Sequence, residues 1–126
     1  MRAFAPPGVI DATSIGYSHA VEVDDRLYLS GQVGWDAEFD VADGFAAQAR
    51  RAFDNLETVL SEAGRERSDV AKVTAYLVDP AEHTEPFLET WRERFPEEPH
   101  PCLTIVGVAG LAREEFLLEL DAEVAP

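Results

Sequence analysis

The chain has 126 residues, a formal charge of -15, one lysine (Lys72) and one cysteine (Cys102). That length is one domain's worth and, with 46% hydrophobic residues, suffices to bury a core without staples. The charge repels nucleic-acid phosphates, the lone cysteine excludes an internal disulfide, and no apolar run approaches the roughly 20 residues of a membrane span. The first seven residues lack the apolar core of a signal peptide, so a cytoplasmic protein with no nucleic-acid or membrane partner is expected.

Residues 1–16 are rich in proline, glycine and small polar residues and read as an irregular entry segment. A short strand over 20–23 runs into Asp24-Asp25 and then into a strand over 27–34, a hairpin pattern even though Asp-Asp is poorer turn chemistry than Asn-Gly. Leu27, Leu29 and Val33 alternate there with Tyr28, Ser30 and Gln32, so the two faces differ. Gly31 breaks the side-chain row, as glycines do at turns and where a ligand or another backbone comes close. A further short strand is expected over 35–41.

Phe45, Ala49, Ala52, Phe53, Leu56, Leu60 and Ala63 fall on one helical face, with Gln48, Arg50, Arg51, Asp54, Glu57 and Glu62 mostly off it. Gly64 supplies the left-handed stop. A strand over 70–78 follows, Val73, Ala75 and Leu77 on one face and Lys72, Thr74 and Tyr76 on the other. A second helix is expected over 85–95, with Thr84 as N-cap, Pro86 in the first turn and a buried stripe of Phe87, Leu88, Trp91 and Phe95. Pro96, Pro99 and Pro101 break the chain around His100 before a strand over 102–108, apolar on both faces, and a last strand over 115–124.

This order predicts a single α+β domain, one mixed sheet with two helices packed on one face. The other face would carry Tyr28, Thr74, Tyr76, Cys102, Thr104 and Val106, too apolar to leave wholly in water. A homo-oligomer in which sheets pack together, with clefts between subunits, is therefore expected.

Motifs for metal, phosphate or a serine nucleophile are absent, and His19, His83 and His100 are scattered, so no metal and no cofactor are expected. Cys102 shares a strand face with His100, but a lone thiol in an apolar strand reads first as core. In the last strand Leu118, Leu120, Ala122 and Val124 alternate with Glu119, Asp121 and Glu123. Three carboxylates on one face make a solvated surface, unless one is partly buried in a cleft and holds a water as general base.

Taken in order, five segments resemble the YjgF/Rid family of reactive intermediate deaminases. Ile15-Gly16-Tyr17-Ser18-His19-Ala20 is similar to its Gly-Pro-Tyr-Ser-x-Ala segment without the proline, and Leu29-Ser30-Gly31-Gln32-Val33 to its Ser-Gly-Gln strand. The helix from Gln48 to Gly64, the strand opening Asp69-Val70-Ala71-Lys72-Val73-Thr74 and the closing Leu118-Glu119-Leu120-Asp121-Ala122 complete the match. The resemblance implies a chorismate-mutase-like protomer, a homotrimer with three inter-subunit clefts, and cofactor-free hydrolysis of imines or enamines to keto compounds and ammonia. It implies that Tyr17 and Glu119 are the catalytic pair, Glu119 placing the water, and that Gly31 and Ser30 present backbone to the substrate.

One departure bears on substrate. The family's Pro-x-Arg-Ser/Thr clamp appears as Pro101-Cys102-Leu103-Thr104, with leucine at the arginine position. The family's asparagine on the second helix appears as Leu88, and a nearby tyrosine as Trp91. Leu103, Thr104, Trp91 and Leu88 are thus the expected remaining substrate contacts. Two readings stay open: a divergent hydrolase of a substrate other than the usual 2-imino acids, or a non-catalytic trimer that binds a small molecule or protein. His100, Arg50 or Arg51 from another subunit could replace the clamp.

Overall fold

A computed structural model describing residues 1–126 contains seven strands and three α-helices. In chain order these are β1 (Arg2–Phe4), α1 (Ala12–Ile15), β2 (Ala20–Val23), β3 (Arg26–Leu29), β4 (Gln32–Val33), α2 (Phe45–Glu62), β5 (Val70–Val78), α3 (Pro80–Arg94), β6 (Cys102–Val108) and β7 (Leu118–Val124). The strands form two sheets, ordered β1-β2-β3 and β4-β7-β5-β6. Only β5 and β6 run parallel, which requires a crossover, and α3 supplies it.

The α+β architecture with two long helices on one face of the main sheet follows the periodicities. Val73, Ala75, Leu77, Leu118 and Leu120 are fully buried, and with Ala49, Phe53, Leu56, Leu60 and Phe87 of the helices they form the core. The expected single sheet is divided, because the 27–34 strand breaks at Ser30 and Gly31: β3 stays with the hairpin and β4 joins β7. At the break the Ser30 amide donates to the His19 carbonyl at 2.9 Å instead of to a neighbour in the main sheet. The hairpin at Asp24-Asp25 forms as expected, both residues taking positive φ (49° and 65°) as a tight primed turn demands.

Other departures have local causes. The entry segment is not irregular throughout: β1 pairs with β2, and Asp11 caps α1, which ends at Gly16 with φ 118°. The strand expected over 35–41 shrinks to one bridge between Trp35 and Val41, because the Asp36 carboxylate takes the Glu38 and Asp40 amides at 2.9 and 3.1 Å. Helix α3 starts a turn and more before its expected position, with Pro80 in its first turn. Thr84 is therefore inside the helix, its hydroxyl donating to the Pro80 carbonyl at 2.6 Å, and Pro86 is an interior proline, not a first-turn one.

Two amides fasten α2 to the rest. Gln48, expected off the buried face, is buried and spans Glu115 and Leu117, its Nε2 donating to the Glu115 carbonyl (3.0 Å) and its Oε1 accepting the Leu117 amide (2.9 Å). Asn55 Nδ2 donates to the carbonyls of Val33 (3.0 Å) and Trp35 (2.8 Å), tying the helix to β4 and its exit. Gly34 permits this approach, since a Cβ there would lie 2.6 Å from Gln48 Cα.

Facing away from the helices, β7 presents Glu119, Asp121 and Glu123 opposite Tyr76, Thr74 and Lys72 of β5, which in turn oppose Val106, Thr104 and Cys102 of β6. Cys102, read from the sequence as a core thiol, is exposed. Position parity explains the correction: Leu103 and Ile105 pack toward the core, so Cys102 and Thr104 turn away from it. No helix is long and apolar enough to cross a membrane.

Replacing Asn55 by alanine strands two carbonyls at once. Asn55→Ala is expected to lower the unfolding free energy by about 2 to 4 kcal/mol, read by urea denaturation; a change under about 0.5 kcal/mol would mean that packing alone holds α2 to β4.

Candidate active site

The step between the sheets is where chemistry-bearing side chains meet. Gly31 has no side chain, and the Glu119 carboxylate occupies the space one would need: a Cβ on Gly31 would lie 2.5 Å from Glu119 Oε2 and 2.8 Å from its Cδ. Glu119 reaches this position because β7 runs between β4 and β5, pairing Glu119 with Val33 on one side and Tyr76 on the other. The carboxylate thus lies against peptide backbone, half out of water.

Electrostatics follow from that seat. Burial pushes the Glu119 carboxyl above the usual carboxylate range, and the charge of Asp121, next on the same strand face, adds to the effect. Burial likewise raises Asp121, with Glu123 adding. The Tyr17 phenol is raised by burial first and by the Glu119 charge second, which places it within electrostatic reach of that carboxylate. Such a pair offers a carboxylate of enhanced basicity beside a phenol that keeps its proton.

Two hydrogen bonds hold the segment carrying Tyr17 against the segment carrying Gly31. Ser30 Oγ donates to the Ser18 carbonyl at 2.7 Å, alongside the Ser30 amide bond to His19. Ser30 is therefore a tether as well as a neighbour of the glycine. Tyr17 follows the Gly16 cap of α1, its amide donating to the Ala12 carbonyl at 3.2 Å, and the residue is 37% exposed.

The structure brings Tyr17, Ser30, Gly31 and Glu119 together and leaves the other expected contacts apart. Trp91 is a core residue, stacked among Phe53, Phe87 and Phe95 with its ring 4.6 Å from that of Phe95. The helix face it shares with Phe87 is turned to the sheet, as the expected buried stripe requires, and the indole is largely withdrawn from the protomer surface. Leu88 and Leu103 are partly buried against the same core, while Thr104 is exposed on the open sheet face, in the row of Thr74 and Asp121. Arg50 and Arg51 are exposed on α2, and His100 is engaged through Nδ1 with the Phe95 carbonyl at 2.9 Å.

Two further residues belong to the site beyond the expected contacts. His19 and Gln32 are each 3% exposed and bonded to one another beneath the Tyr17 segment. Polar residues inside the runs Tyr17-Ser18-His19-Ala20 and Ser30-Gly31-Gln32-Val33 were the available clue. No group of three His, Cys, Asp or Glu side chains is arranged to hold a metal ion. A cavity of about 520 Å³ lies elsewhere, at the start of β5 between Arg67, Arg94, Pro96 and Pro99. Both guanidinium groups there are bound to Glu57.

This architecture, two helices on a mixed sheet with a glycine step facing a carboxylate on the last strand, defines a protein of the YjgF/Rid class. Residues 10–125 match the family described as Endoribonuclease L-PSP, and the chain belongs to that family, the YjgF/RidA proteins. It is 36% identical over 108 residues to the RutC family protein YjgH of Escherichia coli K12, covering 86% of this chain and 82% of that one. The solved structure of YjgH aligns over 98% of this chain and 95% of its own with a TM-score of 0.90 at 34% identity. A 2-iminobutanoate/2-iminopropanoate deaminase of Dermatophagoides farinae is 32% identical over 99 residues, 77% of this chain and 76% of that one. RidA of an Antarctic Psychrobacter aligns with a TM-score of 0.81 at 31% identity, over 88% and 89% of the two chains.

Because its charged form is disfavoured in the fold, Glu119 binds its proton more tightly folded than unfolded. Stability therefore falls as pH rises from the ordinary carboxylate range through the raised value, and the penalty persists above it. Glu119→Gln is expected to unfold at higher temperature than the native protein at pH 7, with the difference vanishing below about pH 4, near the ordinary glutamate value. Thermal unfolding from pH 4 to 8 checks this, and an equal difference at every pH would refute it.

Proposed function

We propose that this protein is a metal-free and cofactor-free imine or enamine hydrolase, acting on a substrate other than the usual 2-imino acids. The observation that carries the reading is the seat of the Glu119 carboxylate on the Gly31 backbone, with the Tyr17 phenol beside it. Similarity to a relative named for deamination of 2-imino acids supports C=N bonds as the target.

The chemistry asks for what the site offers. Water adds to the iminium carbon as Glu119 takes one of its protons, giving a carbinolamine. That proton returns to nitrogen, the C–N bond breaks to release ammonia, and the remaining hydroxyl loses its proton as the carbonyl forms. A carboxylate of raised proton affinity suits both halves of this shuttle. Tyr17, held protonated, donates a hydrogen bond to the reacting oxygen, and the Gly31 backbone lets the substrate come close.

Leu103 argues against an acidic substrate. A leucine cannot replace an arginine's charge-assisted grip on a carboxylate, worth roughly 1.5 to 3 kcal/mol, so a 2-imino acid binds about tenfold to hundredfold more weakly here. In the homotrimer, Thr104 on the open face and the partly buried Leu103 and Leu88 border the inter-subunit cleft with Tyr17, Gly31 and Glu119. The half-exposed row of Tyr76, Thr74 and Val106 on the open sheet face supports such packing. The family's ribonuclease description is not extended to this chain, because a charge of -15 opposes a phosphate backbone. A cytoplasmic setting fits the sequence.

Loss of both polar clamp positions, at Leu103 and Leu88, favours a second reading: a trimer of the same fold that binds a small molecule or a protein without turning it over. Ammonia release separates the two. Imines are generated in place by an amine oxidase, an amino-acid oxidase and a serine or threonine dehydratase. The native protein should turn over a carboxylate-free imine, Glu119→Ala should lose at least about a hundredfold, and Leu103→Arg should gain about tenfold or more on 2-imino acids. Silence from the native protein, with acid-imine turnover appearing only in Leu103→Arg, would establish the binding protein instead.

A further inference from the structure

His19 is a buried titratable side chain for which the hydrolysis has no direct use. Its partners define its state. Nε2 lies 2.9 Å from the Ile10 carbonyl, which can only accept, so Nε2 carries the hydrogen. Nδ1 then offers a lone pair, and Gln32 Nε2 donates to it at 3.2 Å while giving its second hydrogen to the Ser30 carbonyl at 3.3 Å. Turning the Gln32 amide over would face oxygen to oxygen at Ser30, so only one arrangement satisfies all three groups.

This arrangement is a crosslink between three segments. Ile10 precedes α1, His19 leads into β2, and Ser30 and Gln32 flank Gly31. The Tyr17 ring stands edge-on to the His19 ring with centroids 6.0 Å apart. The segments before and after Tyr17 and the one carrying Gly31 are thus joined through His19 and Gln32. Both side chains are too buried to touch substrate.

We propose that His19 and Gln32 are a positioning pair, a neutral Nε2–H histidine locked by one amide, that holds the Tyr17 phenol over the Gly31–Glu119 step. The proposal rests on the hydrolase reading for its consequence on turnover and on the geometry alone for the rest. A phenol displaced by about 1 Å is expected to cost up to a hundredfold in rate. The pair differs from the other two histidines, which both hold backbone carbonyls through Nδ1: His83 that of Val78 and His100 that of Phe95.

The test uses the full-length native protein with ¹⁵N-labelled histidine and ¹³C-labelled tyrosine. Ring-nitrogen shifts should show His19 as the Nε2–H tautomer and His83 as the Nδ1–H tautomer; His19 found charged or as the Nδ1–H tautomer at neutral pH overturns the proposal before any variant is made. Gln32→Glu keeps the shape but removes the amide hydrogens held by His19 Nδ1 and the Ser30 carbonyl, so the Tyr17 resonance should shift. The isosteric change should also lower kcat on any imine the native protein hydrolyses by about tenfold to hundredfold. Gln32→Ala should move Tyr17 in the same way without a new charge. Folded variants that leave the Tyr17 titration where the native protein has it would overturn the pairing. Native protein that is inactive on every imine, with the tautomer and Tyr17 shifts as expected, would sink the hydrolase reading and leave the positioning pair standing.

Discussion

The carboxylate of Glu119 lies where a side chain at position 31 would be, and much of the structure near the site depends on that substitution of space. Being glycine, residue 31 leaves room for that carboxylate at the point where the chain steps from one sheet to the other between β3 and β4. Because it steps there, β4 is short, and β7 is free to carry Glu119 past an exposed piece of backbone. The resulting seat takes water away from one side of the carboxyl group. That desolvation raises its proton affinity; burial raises that of the Tyr17 phenol too, with the Glu119 charge adding to the effect. Packing, topology and acid-base character at this point are one arrangement.

A second consequence is a balance between stability and use. Glu119, Asp121 and Glu123 stand in line on a protein that already carries -15, and burial raises the first two. Self-repulsion of this kind disfavours the compact state, and the raised carboxyls are where part of it is concentrated. The polar crosslinks offset it. Asn55, Gln48, Gln32 and His19 are buried and hydrogen-bonded, and no buried side-chain nitrogen or oxygen in the molecule lacks a partner. Stored electrostatic strain at a site, tied down by satisfied hydrogen bonds around it, is a common physical form for a functional centre.

Much of this was legible in the sequence, for identifiable reasons. The stripe of α2 and the alternation of β5 and β7 are strong periodic signals that each bury one face, so pattern and structure agree. The charged face of β7 could be named, but its role could not: whether Glu119 is solvated depends on Gly31, eighty-eight positions earlier in the sequence, and only the fold brings the two together. The burial of Trp91 against Phe53 and Phe87 follows from the helical stripe, whereas the substrate contact the resemblance gives it depends on a neighbouring subunit that no periodicity describes. The start of α3 was missed because Asp79-Pro80 reads equally as the end of a strand and as a helix entrance with proline in its first turn. Cys102 was read as core because apolar residues occupy both parities of β6, an edge strand with helices on one side only.

The most direct test of the whole arrangement is a ¹³C NMR titration of the Glu119 carboxyl in the native protein and in Gly31→Ala. With the carboxyl seated on bare backbone, the native protein should titrate above the usual glutamate value of about 4.3, and an alanine methyl in the seat should push the carboxylate toward water and bring the value down. A native Glu119 that titrates at or below the usual glutamate value would contradict the desolvated seat, and with it the role assigned to this residue.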